Sequence, residues 1–488
     1  LTTSSYEIKS SSDLRLISLN SLPPFALNIG GNKSKNHNLR CQKILRCLPG
    51  KRLSCVGNWQ GEPVFAKLFI DPNRANIHWQ RDMQGIRTLM EQKILTPPLL
   101  HSGELPDGGG FFCLYEYFPD GKNLKELWNT RDADNRISLL HQSTELLARH
   151  HSSGIIQQDV HLNNFLVVSN AIYTLDGAQI NVQQRPLDLT SSINNLAMFF
   201  AQFFPENDEN ITDALQIYVD ARGWKISPEI FKTVLRVTAR KRKKREVEFL
   251  KKTKRECTAF VYHRNWYRLS VCDRQYYSDS LRELIADPDC SITQGTVIKK
   301  GYTSTVASTM IDGQCVLVKR YNIKNWKHAI SRAFRPTRAF HTWTNAHRLI
   351  FFGINTPTPI AFIEERWGFI RRRAYYISEY YTGDTCWDFF HNPKIKQKQK
   401  LQIAKSIAAQ LKKLKNIKIS HGDLKASNIL VSGNQASFVD LDSMKRHWFS
   451  RGFKKAWEKD MKRFLRNWSE CESVTAMFKN YLDLSKNS

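Results

Sequence analysis

Two short runs of apolar and β-branched residues, Arg52 to Val56 and Val64 to Ile70, have the pattern of strands, and Gly57-Asn58-Trp59-Gln60-Gly61 between them predicts a turn. Lys67 stands in the middle of the second run. A helix is predicted from Trp79 to Gln92, a Pro-containing turn at Thr96-Pro97-Pro98, and a strand from Phe111 to Tyr117. The succession then returns. Cys315 to Tyr321 predicts a strand with Lys319 inside it, Arg338 to Phe352 a helix, Thr356-Pro357-Thr358-Pro359 a turn and Ala374 to Tyr380 a strand. In each half a further helix follows, with Leu139, Leu140, Ser143, Leu146 and Leu147 on one face in the first, and Ala404, Ile407, Ala408, Leu411 and Leu414 in the second. Those faces predict core.

After each of these helices comes the same polar pattern beside a short apolar strand. The first is Asp159, Asn164 and Asp176; the second is Asp423, Asn428 and Asp440, and all three pairs are 264 residues apart. The chain therefore reads as a duplicated domain. The residue types suit phosphoryl transfer: one carboxylate orients an acceptor hydroxyl and takes its proton, while an amide oxygen and a second carboxylate offer hard ligands for Mg²⁺ on ATP phosphates. A lone lysine in an apolar strand is ordinarily an edge residue that discourages aggregation. Lys67 and Lys319, 92 and 104 residues before Asp159 and Asp423, favour phosphate positioning instead.

Length and composition fit this organisation. The 488 residues exceed one ordinary core, and 41% hydrophobic with 11% aromatic content supports packed domains. Residues 1–40, rich in Ser, Asn and Lys, read as a flexible lead-in, 41–275 as the first domain and 276–488 as the second. The 10 cysteines include no C-x-x-C pair, which argues against a zinc or thioredoxin-like motif and for reduced, buried thiols. No apolar run approaches the length of a spanning helix, and Leu1-Thr2-Thr3-Ser4-Ser5 lacks the layout of a secretion signal, so the expected location is the side of the membrane that holds ATP.

A formal charge of +28 implies an anionic partner: nucleic acid, lipid headgroups or phosphorylated sugars. Arg236 to Arg255 holds 11 Lys or Arg in 20 residues, which reads either as a solvated helix face or as a contact with a polyanion or anionic membrane. From Tyr321 to Trp343, Lys324, Lys327, Arg332, Arg335 and Arg338 alternate with Trp326, Phe334, Phe340 and Trp343, a mixture that suits a membrane interface or stacked nucleic-acid bases.

His421-Gly422-Asp423-Leu424-Lys425 through Asn428 is similar to the catalytic loop of protein kinases and of the bacterial lipopolysaccharide core kinases; Asp159-Val160-His161-Leu162-Asn163-Asn164 resembles the heptose-kinase form of that loop. The chain resembles a tandem member of this family over about residues 45–470. The resemblance implies an α+β fold of two bilobal protein-kinase-like domains, each with a small antiparallel sheet lobe and a larger helical lobe. It implies catalytic Asp159, Asp423 and Lys425, ATP held by Lys67, Lys319, Asp82 and Gly301, and Mg²⁺ held by Asn164, Asp176, Asn428 and Asp440. The implied acceptor is a lipid-linked inner-core sugar, reached by an enzyme peripheral on the inner membrane. An atypical ribosome-associated kinase and a nucleotide-binding scaffold are the alternatives, and oligomeric state is open. Two departures bear on activity. Asp82 is one methylene shorter than the usual helix glutamate, and no Asp or Glu lies between Asp312 and Glu364, so Lys319 has no helix acid to pair with. Gln157 and His161 stand where the second half has His421 and Lys425, which makes the second half the expected more active one.

Overall fold

A computed structural model describes residues 6–8, 10–16, 25–30, 38–183, 185–225, 227–322 and 335–482. The chain forms two compact units, Leu1–Phe203 with Asn207–Arg242, and Phe204–Glu206 with Lys243–Ser488.

In the first unit, β1 (Tyr6–Ile8), α1 (Ser11–Arg15), β2 (Phe25–Asn28), β3 (Asn38–Leu48), β4 (Arg52–Trp59) and β5 (Glu62–Phe69) lead into α2 (Ala75–Glu91), β6 (Leu99–Glu104) and β7 (Phe111–Glu116). The strands form one sheet in the order β1-β2-β3-β4-β5-β7-β6, antiparallel except for the parallel pair β1 and β2. The lead-in is thus partly built into the fold. Leu14, Phe25, Leu27 and Ile29 are buried with Leu39, Leu53 and Leu68, so burial of a few apolar side chains offsets the ordering entropy of a polar stretch. The predicted turn shrinks to Gln60-Gly61, and Gly57 sits within β4, where a Cβ would strike the Arg40 carbonyl of β3.

The rest of the unit contains β8 (Lys122–Asn123), α3 (Leu124–Thr130), α4 (Ala133–Ser152), β9 (Ile155–Gln157), β10 (Phe165–Val168), β11 (Ala171–Thr174), β12 (Ile180–Val182), α5 (Leu189–Phe200) and α6 (Asp208–Ala221). The predicted face of α4 is buried, as expected. So are His150 and His151, which pack beside Thr174 and between Tyr218 and Asn195. Burial pushes their pKa values down from 6.5 to about 3 and about 4. Both are neutral when folded and gain a proton on unfolding in acid, so their stability contribution is present above pH 6.5 and is lost toward pH 4. Each should cost about 2 kcal/mol between pH 7 and pH 5. Urea transitions at the two pH values should show it, and His150→Gln with His151→Gln should flatten the dependence.

The helix α7 (Pro228–Lys252) carries most of the basic run. It is not uniformly solvated: Arg242 is buried, donating to the Phe203 carbonyl at 2.8 Å and pairing with Asp208 at 2.7 Å. Glu246, also buried, pairs with Arg348 and Arg446. Arg236, Arg240, Lys243, Lys244, Lys251 and Lys252 remain exposed.

The second unit begins earlier than residue 276. Its strands β13 (Phe260–Arg264) and β14 (Arg268–Asp273) precede α8 (Asp279–Ala286), α9 (Pro288–Gln294), β15 (Thr296–Lys300), β16 (Ser304–Ile311), β17 (Gln314–Tyr321), α10 (Arg338–Phe351), β18 (Pro359–Trp367) and β19 (Ile370–Glu379). The sheet order is β13-β14-β18-β19-β17-β16-β15, so β14 bonds to β18 and belongs here. The boundary moves because strand pairing, which composition does not reveal, decides membership. The inner order β15-β16-β17-β19-β18 repeats β3-β4-β5-β7-β6; each unit then adds two strands, on opposite edges.

Below the sheet come β20 (Asp384–Thr385), α11 (Cys386–His391), α12 (Gln397–Asn416), β21 (Ile419–Ser420), β22 (Ile429–Ser432), β23 (Gln435–Phe438), β24 (Lys445–Arg446), α13 (Ser450–Arg466) and α14 (Glu472–Tyr481). Their small sheets, β20-β22-β23 and β21-β24, repeat the pairings β8-β10-β11 and β9-β12. The α12 face is buried as predicted. Trp343, expected at an interface, is fully buried, its indole donating to the Thr253 carbonyl at 2.8 Å; Lys324, Trp326, Lys327, Arg332 and Phe334 lie outside the described residues. Cys290 and Cys315 are exposed, unlike the buried thiols expected. Among the described residues no helix is long and apolar enough to cross a membrane.

Candidate active site

In the second unit Lys319 and Asp440 line a cleft of about 320 Å³, within the range of small-molecule sites, while Asp423, Lys425, Asn428 and Gly301 are not among its lining residues. Strand pairing places Lys319 on β17 opposite Tyr376, facing inward. Ile298, Val306 and Leu317 from the sheet and Leu430 from β22 line the same space, an apolar slot suited to a flat ring. Gly301 forms the turn between β15 and β16, at the position expected of a phosphate-covering loop. The first unit has a similar cleft of about 380 Å³ around Lys67, Leu166 and Asp176. There the equivalent turn joins β3 to β4 at Pro49-Gly50-Lys51, not at Gly57 and Gly61.

Lys67 meets Asp82 of α2 at 2.9 and 3.0 Å, and Asp176 lies 3.6 Å away. Asp82 also accepts from Tyr115 at 2.7 Å and from the Ala178 N–H at 3.1 Å. Burial opposes both charges, but the pair overcomes it: Lys67 is shifted up by Asp82 and Asp176, and Asp82 is held below the usual carboxylate range by Lys67 and its hydrogen bonds. The shorter acid suffices because α2 comes close. Gly85 packs on Gly177 so tightly that a Cβ on either would strike the other segment.

In the second unit Lys319 turns to Asp440 at 2.6 Å. Burial again opposes its charge; Tyr321 and Asp440 raise its pKa, and Lys319 in turn lowers that of Asp440. Thr342 of α10, bonded to Tyr321 at 2.7 Å, lies near the place of the helix acid. Asn345 spans from α10 to the Leu441 and Met444 carbonyls at 2.8 and 3.0 Å, where the first unit uses bare glycine contact. Asp442, two residues beyond Asp440, is bound by Arg338.

The loop residues meet as their spacing requires. The Asn428 amide donates to the Asp423 carbonyl at 2.9 Å and to its carboxylate at 3.2 Å, leaving Oδ1 available to a cation. Asn164 donates to the Asp159 carbonyl at 2.8 Å. Asp176 and Asp440 share a left-handed backbone, φ 64° and 62°, an uncommon conformation for non-glycine residues. Oδ1 of Asp176 is buried and accepts no hydrogen bond, with the Lys67 ammonium 3.6 Å from it. Among the described residues no group of three or more His, Cys, Asp or Glu could hold a metal. An amide and a carboxylate oxygen fit Mg²⁺ only with phosphate or water completing the shell, the usual arrangement for that ion.

His421 is an anchor of the loop. It is buried, which lowers its pKa, and its Nε2 meets the Val439 carbonyl at 3.1 Å. Gln157 makes the corresponding contact, donating to the Leu175 carbonyl at 3.3 Å. Both side chains anchor the segment that carries the metal-ligand candidate Asp, and Gln157 is no loss.

Two residues of α13 escaped sequence reading. Asp460, buried, accepts from the His421 N–H at 2.6 Å and the Gly422 N–H at 3.1 Å. Arg463 binds Asp423 at 2.6 Å, with Lys425 at 3.5 Å. The available signal was a carboxylate on the buried stripe of Phe453, Met461 and Phe464. Gly422 has φ 79°, and a Cβ there would lie 2.5 Å from the Ser443 carbonyl, so this tie needs glycine. The first unit has Gln158 there, and Asn195 donates to the Gln157 carbonyl at 2.9 Å. Asp159 is exposed, and among the described residues no side chain binds its carboxylate.

Residues 291–483 match the model of the Lipopolysaccharide kinase (Kdo/WaaP) family. The match falls within the second unit, so the part of the chain similar to this family is the part that carries Lys319, Asp423, Asn428 and Asp440. Comparison with curated proteins gives no match.

Proposed function

We propose that the chain is an ATP-dependent phosphotransferase built from two tandem bilobal kinase-like units, with the second performing the chemistry. The observation that carries this is the pairing of Lys319 with Asp440 in a cleft of the unit that matches the kinase family, together with the Asn428–Asp423 bond in the same unit's loop. The acceptor is a hydroxyl of a lipid-linked inner-core sugar, a heptose or a related residue, at the cytoplasmic face of the inner membrane.

Asp423 orients the acceptor hydroxyl and takes its proton, and Arg463 and Lys425 hold that carboxylate in place. Lys319 exchanges part of its bond to Asp440 for nucleotide phosphate oxygens. Gly301 lets the turn above them approach closely. Asn428 and Asp440 would hold Mg²⁺, which would supply charge neutralisation on the phosphates. Asp159, whose carboxylate has no ion pair among the described residues, leaves the first unit to bind nucleotide or acceptor through Lys67 and Asp82.

The test is acceptor-dependent ATP turnover by Lys319→Met and Lys67→Met separately. Lys319→Met should lose at least 99% of turnover, about 2 orders of magnitude, and Lys67→Met should keep most of it. Loss confined to Lys67→Met would reverse the assignment.

A further inference from the structure

The second unit carries a cluster of exposed large apolar side chains that its cleft does not use. Trp266 and Tyr267 at the β13–β14 turn are 59% and 68% exposed, and Trp367, Phe369 and Ile370 at the β18–β19 turn are 63%, 76% and 39% exposed. The two turns are joined: the Arg366 N–H donates to the Tyr267 carbonyl at 2.7 Å and the Gly368 N–H to the Trp266 carbonyl at 2.9 Å. The Trp266 ring lies over Gly368, where a Cβ would come within 2.9 Å of it. The aromatic tip is therefore one built feature, since contiguous exposed apolar patches of this kind mark contact surfaces.

Its charge selects the partner. Residues 257–272 and 366–378 contain no Asp or Glu, while Arg264 and Arg372 are exposed beside the tip. Tryptophan and tyrosine at a convex tip, ringed by arginine, match the headgroup boundary of an anionic bilayer. The first unit supplies an internal contrast. Its equivalent β6–β7 turn is Leu105-Pro106-Asp107-Gly108-Gly109-Gly110, without an aromatic, and Asp107 accepts from the Ser11 N–H of α1.

Register gives the tip its direction. Ser304, Tyr321, Ala374, Glu364 and Leu269 form one row across the sheet. Beyond that row, at the same end, lie both the Gly301 turn and the aromatic tip. Ile370 is four residues, roughly 13 Å, past Ala374. We propose that the Trp266, Tyr267, Trp367 and Phe369 tip inserts into the headgroup region of an anionic phospholipid membrane, holding the phosphate end of the second cleft toward the bilayer. This deepens the kinase reading by giving it a membrane-borne acceptor.

The experiment scores binding without ATP or acceptor, so its failure and that of the kinase reading are separable. The full chain is sedimented with vesicles of phosphatidylcholine containing phosphatidylglycerol, and with phosphatidylcholine alone. The parent should prefer the anionic vesicles. Combined Trp266→Ser, Tyr267→Ser, Trp367→Ser and Phe369→Ser should lower partitioning at least tenfold. Arg264→Gln with Arg372→Gln should weaken binding at low salt and matter less at high salt. As a milder variant, Trp367→Ser alone should reduce quenching of tryptophan emission by brominated lipid. Equal binding by parent and variants overturns the proposal. So does a parent that binds only single-stranded RNA, or a dimer that the serine variant dissociates while vesicle binding persists.

Discussion

Asp423→Ala is expected to reduce acceptor-dependent ATP turnover by about 10²- to 10⁴-fold while leaving nucleotide affinity little changed, the range typical of a lost general base. The carboxylate sits where the Asn428 amide, Arg463 and Lys425 converge, at 3.2, 2.6 and 3.5 Å. A group that acts on the acceptor proton contributes in the transition state, so kcat should fall and the nucleotide dissociation constant should not. Removing it also leaves Arg463 free to bind phosphate, which would keep nucleotide affinity at or above the parent value. Asp159→Ala supplies the comparison: with no ion pair to its carboxylate among the described residues, its loss should be small. If Asp423→Ala retains full turnover while Asp159→Ala abolishes it, the chemistry belongs to the first unit.

Stability gives the second large effect. Asp82→Ala should destabilise the first unit by about 3–5 kcal/mol, because a buried lysine then keeps its charge without its main partner. Asp82 has 0% exposure and Lys67 9%, so water cannot replace the lost carboxylate. Tyr115 and the Ala178 N–H lose their acceptor at the same time. Asp176, 3.6 Å from Lys67, offsets part of the cost by moving closer. Urea unfolding of Asp82→Ala and Lys67→Met with Asp82→Ala separates the terms. The double variant should be the more stable of the two, since it removes the orphaned charge; equal stability would show that Lys67 is not held in a dry site.

Some of this was legible in the chain. The two Asp-Asn-Asp triplets and the strand lysines could be read because spacing along short strands fixes which side chains share a face, and Asp82 followed from the resemblance to protein kinases. The buried faces of α4 and α12 followed from their 3.6-residue period. The missing helix acid of the second unit was also visible as a 51-residue interval without Asp or Glu between Asp312 and Glu364.

Tertiary structure decided the rest, through contacts between residues far apart in sequence. Lys319 finds Asp440, 121 positions away, only once β17 and the loop after β23 face each other. His421 is an uncharged anchor because folding buries it beside the Val439 carbonyl; its sequence context is that of an exposed loop base. Asp460 and Arg463 join the site because α13 packs under the loop, and strand pairing moves β13 and β14 into the second unit. The aromatic tip arises the same way. Trp266 and Trp367 are 101 residues apart and become one surface only when β14 bonds to β18. Local pattern specifies elements and the residues they present, whereas protonation, partnership and surface are set by what the folded chain places against them.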